Sequence, residues 1–152
     1  MAYPNVFQAS TTDKILNRLE QLNASTQPQW GTMDAAKMLA HLNVAYDGAY
    51  GLSKVKNSAF KKWLLKLFIK QAIVGEKPYP KNSRTAPEFA IKGDRDFEAE
   101  KTKLIAYVKR VQTDGTAVFD GKESNSLGSL TAKEWSNLFY KHLDHHFNQF
   151  GL

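Results

Sequence analysis

The stretch KEWSNLFYKHLDHHFNQFG, residues 133–151, reads as one amphipathic helix with its chemistry on the buried side. Thr131-Ala132-Lys133-Glu134 at its start is a capping box, in which a hydroxyl and a carboxylate satisfy backbone N–H groups reciprocally. Leu130 and Trp135 stand where a hydrophobic staple needs them, and Gly151 is placed to end the helix. At roughly 100° per residue, Trp135, Leu138, Phe139, Leu143, Phe147 and Phe150 gather on one arc. Lys133, Lys141, Asp144 and Asn148 take the opposite face.

Three histidines lie on this helix. His146 falls roughly 20° from the centre of the apolar arc, His142 roughly 60° and His145 roughly 120°. His142 and His146 therefore point inward, and His145 points toward the boundary or solvent. At i and i+4 the inward pair sits one turn apart on one face and can chelate one ion. Buried imidazoles are costly unless satisfied, so the same pattern also fits two core histidines bonded to carbonyls or tyrosines. An ion would need a third ligand from elsewhere. His41, the only other histidine, lies at the edge of its own helix's apolar arc near Met38 and Ala45, where periodicity permits an inward position without demanding it.

Working outward, the pattern predicts five helices and no strand. The first spans about Thr12 to Asn23, with Ser10, Thr11 and Thr12 as candidate caps. The second starts from Thr32 as cap and stops near Gly51, with Ala35, Met38, Leu39, Leu42, Ala45, Tyr46 and Ala49 at helical spacing. The third covers roughly Ser58 to Ala72, and the fourth about Asp94 to Gln112. Pro78, Pro80 and Pro87 mark a loop between those two, and residues 113–129 read as another. The chain is expected to be one all-α domain over residues 1–152.

Composition narrows the chemistry. With no cysteine, disulfides, iron–sulfur clusters and thiol nucleophiles are excluded, and a metal site must use His, Asp or Glu. The N-terminus lacks a signal-peptide pattern, and the run Trp63–Ile69 is too short to span a bilayer, so a cytoplasmic protein without a transmembrane segment is expected. The net charge of +6 is local: residues 52–81 hold eight lysines against the single Glu76, a net +7. That segment reads as a crossover helix with a solvated lysine face. Having no arginine and no recognition motif, it is not expected to bind nucleic acid sequence-specifically. Trp63 and Phe68 offer apolar surface beyond one bundle's needs, which points to a homodimer.

Four pieces, WGTMDAAKMLAHL (30–42), KPYPKNSRTAPEF (77–89), DRDFEAEKTKLI (94–105) and KEWSNLFYKHLDHHFNQFG (133–151), together resemble the DinB-like superfamily. The resemblance is to its bacterial-type branch, without assigned activity, that carries a Trp-Gly loop and a histidine-rich last helix. It implies a four-helix bundle with a long crossover carrying an extra helix. It also implies a three-histidine metal site made by His41, His142 and His146. One stretch departs: where the branch has a His-Pro pair and an aromatic ahead of the glycine, this chain has Glu123-Ser124-Asn125-Ser126-Leu127-Gly128.

Three neutral imidazoles leave a divalent ion its full charge and at least one open position, with zinc or nickel best suited. Gln149, one turn from His146, is the leading candidate to orient a ligand, with Tyr46 and Tyr140 read as ordinary packing. No nucleophile or carboxylate base is plainly placed, since Asp34, Asp47 and Asp144 look like capping or surface acids. Relatives in the superfamily imply a metal-dependent transferase that uses a low-molecular-weight thiol on a small-molecule substrate. Metal-assisted hydrolysis and a non-enzymatic metal-stabilised binding protein are the alternatives.

Overall fold

Four amphipathic helices bury their apolar arcs against one another in the computed structural model, which describes residues 2–152. In chain order the elements are α1 (Ala9–Glu20), α2 (Ala35–Ala49), α3 (Ala59–Phe68), α4 (Lys70–Val74), a 3-10 turn (Pro87–Phe89), α5 (Phe97–Phe119), strands β1 (Lys122–Ser124) and β2 (Gly128–Leu130), and α6 (Ala132–Gln149). Helices α1, α2, α5 and α6 form the bundle, and α3, α4 and the 3-10 turn ride on the long crossover between α2 and α5. The all-α expectation and the crossover with its extra helix both hold.

The core is made by the periodic residues. Leu19 of α1, Met38, Leu39 and Leu42 of α2, Leu104 and Val108 of α5, and Phe139, Leu143 and Phe147 of α6 are all buried. A stack of rings runs across it: Tyr50 on Tyr107 (5.7 Å), Tyr107 on Tyr46 (5.3 Å), Tyr46 on Phe139 (4.7 Å), and Phe139 on Trp135 (5.5 Å). Offset aromatic pairs of this kind add to their area burial. Tyr46 is thus a packing residue, as expected, and Tyr140 lies against Tyr3.

Helix α6 starts as its sequence dictates. The Thr131 hydroxyl accepts from Glu134 N, and the Glu134 carboxylate accepts from Thr131 N. Leu130 and Trp135 are both buried. At the other end Leu152 N donates to Phe147 O and Gly151 N to Asn148 O, the bond pair of a Schellman closure.

Several boundaries differ from expectation. Helix α1 begins at Ala9, so Thr11 and Thr12 are buried in its first turns rather than capping it. The preceding segment is tied back to α6, where Val6 N donates to Ser136 Oγ, and this fixes the earlier start. Asp34, not Thr32, caps α2 by accepting from Lys37 N at 2.8 Å. A carboxylate is the better partner for the positive end of a helix. The expected third helix is broken at Ile69 into α3 and α4. Helix α5 breaks close to its expected end, at Gly115 (φ 63, ψ −168), a backbone region essentially closed to other residues. A further turn beyond the break ends on Phe119, a fully buried anchor packed on Trp135 and Phe139. The rest of the expected loop forms a hairpin with Lys122 opposite Leu130 and Ser124 opposite Gly128. Strands of three residues are too short to show alternation.

The largest correction concerns Lys141. Placed on the solvent face by the wheel, it is fully buried, with 2% exposure. Its ammonium donates to Ala72 O (2.6 Å) and Gly75 O (3.2 Å) and sits 4.3 Å from the Tyr79 ring centre. Burial lowers its pKa to about 8. Helix α6 is covered on a second side by α4, and a single-helix wheel does not know of that neighbour. Asn137, which donates to Val74 O, is buried for the same reason.

Candidate metal centre

The C-terminal half of α6 carries His142, His145 and His146 past the middle of α2, which brings up His41. The edge position of His41 on α2 resolves inward: it is 6% exposed. One ring nitrogen each from His41, His142 and His146 lies within 4.8 Å of the other two, so these three residues could hold a metal ion. His145 stands outside the cluster. Its ring is 5.0 Å from that of His146, and it faces Trp30 and Tyr79. The wheel placed His145 toward the boundary or solvent; it is half-buried, as His142 is.

The hydrogen bonds define which nitrogen each ring presents. His41 Nδ1–H donates to Phe89 O at 2.9 Å, leaving Nε2 as a bare lone pair. Gln149 Nε2 donates to Trp30 O at 2.8 Å, so its amide oxygen is turned to accept from His146 Nδ1–H at 2.7 Å. That leaves His146 Nε2 bare too. His142 Nε2 meets His41 Nε2 at 2.9 Å, and since His41 can only accept there, His142 donates. Ligands around a tetrahedral ion stand about 3.3 Å apart at metal–nitrogen distances of about 2.0–2.1 Å. To take a divalent ion, the His41–His142 pair would open by a few tenths of an ångström and one proton on His142 would shift.

Electrostatics favour neutral rings. Burial lowers the pKa of His41 against the opposing pull of the Phe89 carbonyl. Burial, with the neighbouring histidines second, lowers His142 well below the ordinary range. Burial and His41 bring His146 down to about 3, the Gln149 bond opposing. His145 is lowered by burial as well. Neutral imidazole is the form that ligates a metal.

The loop 29–31 builds the support. Gln29 N donates to Gln149 O, tying the loop to the end of α6. Gly31 adopts φ +81, and a Cβ there would stand 2.7 Å from Gln149 Nε2. Only glycine lets the Trp30 carbonyl and the Gln149 amide meet. The carbonyl acceptors, Phe89 O and Trp30 O, could not be named from sequence, because a backbone acceptor leaves no residue signature.

The three histidines, with His145, line a cavity of about 510 Å³, a size suited to a small molecule. Val44, Ala45, Ile73 and Leu138 give it apolar walls, and among the described residues Arg84 is its one cationic side chain. The departing loop matters here: Ser124, Asn125, Ser126 and Leu127 all line the cavity. The expected surface acids are engaged elsewhere. Asp34 caps α2, Asp47 binds Lys103 and Tyr107, and Asp144 binds Arg18. Glu88, not singled out from sequence, is the carboxylate in the cavity wall, 3.9 Å from Lys61 Nζ.

A family model described as "protein of unknown function (DUF1569)" matches residues 2–151. No curated protein and no solved structure matches the chain.

Proposed function

The chain belongs to the DUF1569 family, and from that premise we propose that it holds one divalent ion, zinc or nickel, through His41, His142 and His146 and transfers a group to or from a low-molecular-weight thiol. The observation that carries the reading is the convergence of three neutral ring nitrogens, two of them stripped of protons by fixed acceptors, on the floor of a small-molecule cavity. A bound ion would supply its full double charge there, lowering the pKa of an entering thiol.

The chain's own residues do the remainder. Phe89 O and Gln149 hold His41 and His146 in the ligating tautomer. Val44, Ala45, Ile73 and Leu138 give the reacting groups an apolar wall. Arg84 offers a charge for an anionic substituent on the thiol or its partner. The thiol must come from outside, since the chain has no cysteine. The resemblance of residues 30–42 and 133–151 to the DinB-like superfamily supports the same chemistry.

Glu88 favours a second reading, metal-assisted hydrolysis with that carboxylate as base. Turnover of a generic electrophile with a panel of low-molecular-weight thiols separates the two. The transferase reading expects activity that needs thiol, metal and His146 together. Thiol-independent hydrolysis lost in Glu88→Gln would replace it, and no turnover with metal bound would leave a non-enzymatic metal-stabilised protein.

A further inference from the structure

Helix α3 carries a strong apolar stripe yet buries none of its residues. Phe60, Trp63 and Leu67 fall within about 60° of one another around the helix, at 68%, 55% and 56% exposure, and Phe68 beside them reaches 76%. Val55 ahead of the helix and Ile69 behind it are exposed as well. The Phe60 and Trp63 rings stack at 6.1 Å, so the patch is already formed. A bundle helix turns such a stripe inward. Here it faces out, and continuous apolar surface of this kind marks a place where something docks.

Charge decides what docks. Lys54, Lys56, Lys61 and Lys66 are exposed around the stripe, and the surrounding segment 52–81 carries +7. A second copy would set that charge against its equal, which disfavours pairing through this face. Aromatic and leucine side chains rimmed by lysines match an anionic bilayer, whose headgroups attract the cations while the acyl boundary takes the rings. No helix among the described residues is long and apolar enough to cross a membrane, so such binding is peripheral.

We propose that α3 is a docking helix that lies in the plane of an anionic membrane surface, inserting Phe60, Trp63, Leu67 and Phe68. Val55 and Asn57 ahead of α3, and Ile69 and Ile73 behind it, line the cavity over the histidines. Docking therefore brings the cavity wall to the lipid, where an apolar, membrane-dissolved substrate is concentrated. That consequence rests on the metal-site reading; the docking does not.

The test is cosedimentation of the full chain with vesicles of mixed phosphatidylglycerol and phosphatidylcholine, or of phosphatidylcholine alone, with tryptophan emission read in parallel. Partition is expected to be at least about tenfold stronger on the anionic vesicles, with a blue shift in emission. Phe60→Ser with Trp63→Ser should cut it about tenfold or more while the circular dichroism spectrum stays unchanged. Lys56→Glu with Lys66→Glu should remove the anionic preference. His41→Ala should bind vesicles as the wild type does, which keeps this result separate from the fate of the metal site. Equal partition of the wild type and the Phe60/Trp63 variant, or no partition at all, would overturn the proposal. So would a dimer dispersed by the same two serines without vesicle binding, or binding to an oligonucleotide in place of vesicles.

Discussion

Gln149 and Gly31 separate a metal site from a set of core histidines at the scale of single residues. Neither would touch an ion, yet the Gly31 backbone leaves room for Gln149, and Gln149 fixes the tautomer of His146. Gln149→Met is expected to weaken metal affinity by roughly 10–100-fold, and Gly31→Ala to do the same by displacing the amide. Metal titration of the two variants checks this; unchanged affinity in both would mean the support is irrelevant to binding. Protonation gives a second expectation. His146 has a folded pKa of about 3 against an unfolded value of about 6.5. Below pH 6.5 the unfolded chain takes up a proton that the folded chain refuses. Stability of the metal-free protein should therefore fall as the pH drops from about 6.5 toward 3, by up to about 1.4 kcal/mol per pH unit for this group, and this contribution should be flat above 6.5. Thermal melts across that range should show the slope in wild type and a smaller one in His146→Leu. The pairing of His142 with His146 was legible from spacing alone, because a helix of known period fixes which side chains share a face. His41 was not, since its position at the edge of an arc depends on which neighbour packs there. Phe89 O, the acceptor that orients it, comes from the proline-marked loop of the crossover, which has no periodic pattern.

Elements show the same division. Helix α6 was readable end to end because its cap, staple and terminal glycine are local signals. Its burial was not, because α4 covers the side that carries Asn137 and Lys141. Lys141 donates to two carbonyls near the end of α4, and Lys141→Met would leave both unpaired. A loss of about 1–3 kcal/mol in chemical denaturation is expected; no loss would show that α4 is held by other contacts. Helix α5 breaks at Gly115, close to its expected end, and the turn beyond the break has a tertiary cause, the anchoring of Phe119. Its route through Gly115 makes Gly115→Ala a strain of about 1–3 kcal/mol, readable in the same unfolding experiment.

For the whole molecule, the core of the bundle stands without the histidine cluster. Leu19, Leu39, Leu104, Phe139 and Phe147 close it among α1, α2, α5 and α6. The metal-free protein should therefore keep its helical circular dichroism after chelation, and metal should raise the melting temperature with the logarithm of its concentration over Kd. This separates it from small domains that fold only on their ion. Function turns on whether the three histidines bind one ion together. The direct measurement is elemental analysis of protein purified without an immobilised-metal column, on the wild type and each histidine variant. About one zinc or nickel per chain is expected in the wild type and in His145→Ala, with loss in His142→Ala and His146→Ala and strong depletion in His41→Ala. A wild type without metal that also fails to take it up on titration, or a His145→Ala variant that loses metal while His142→Ala retains it, would contradict the account.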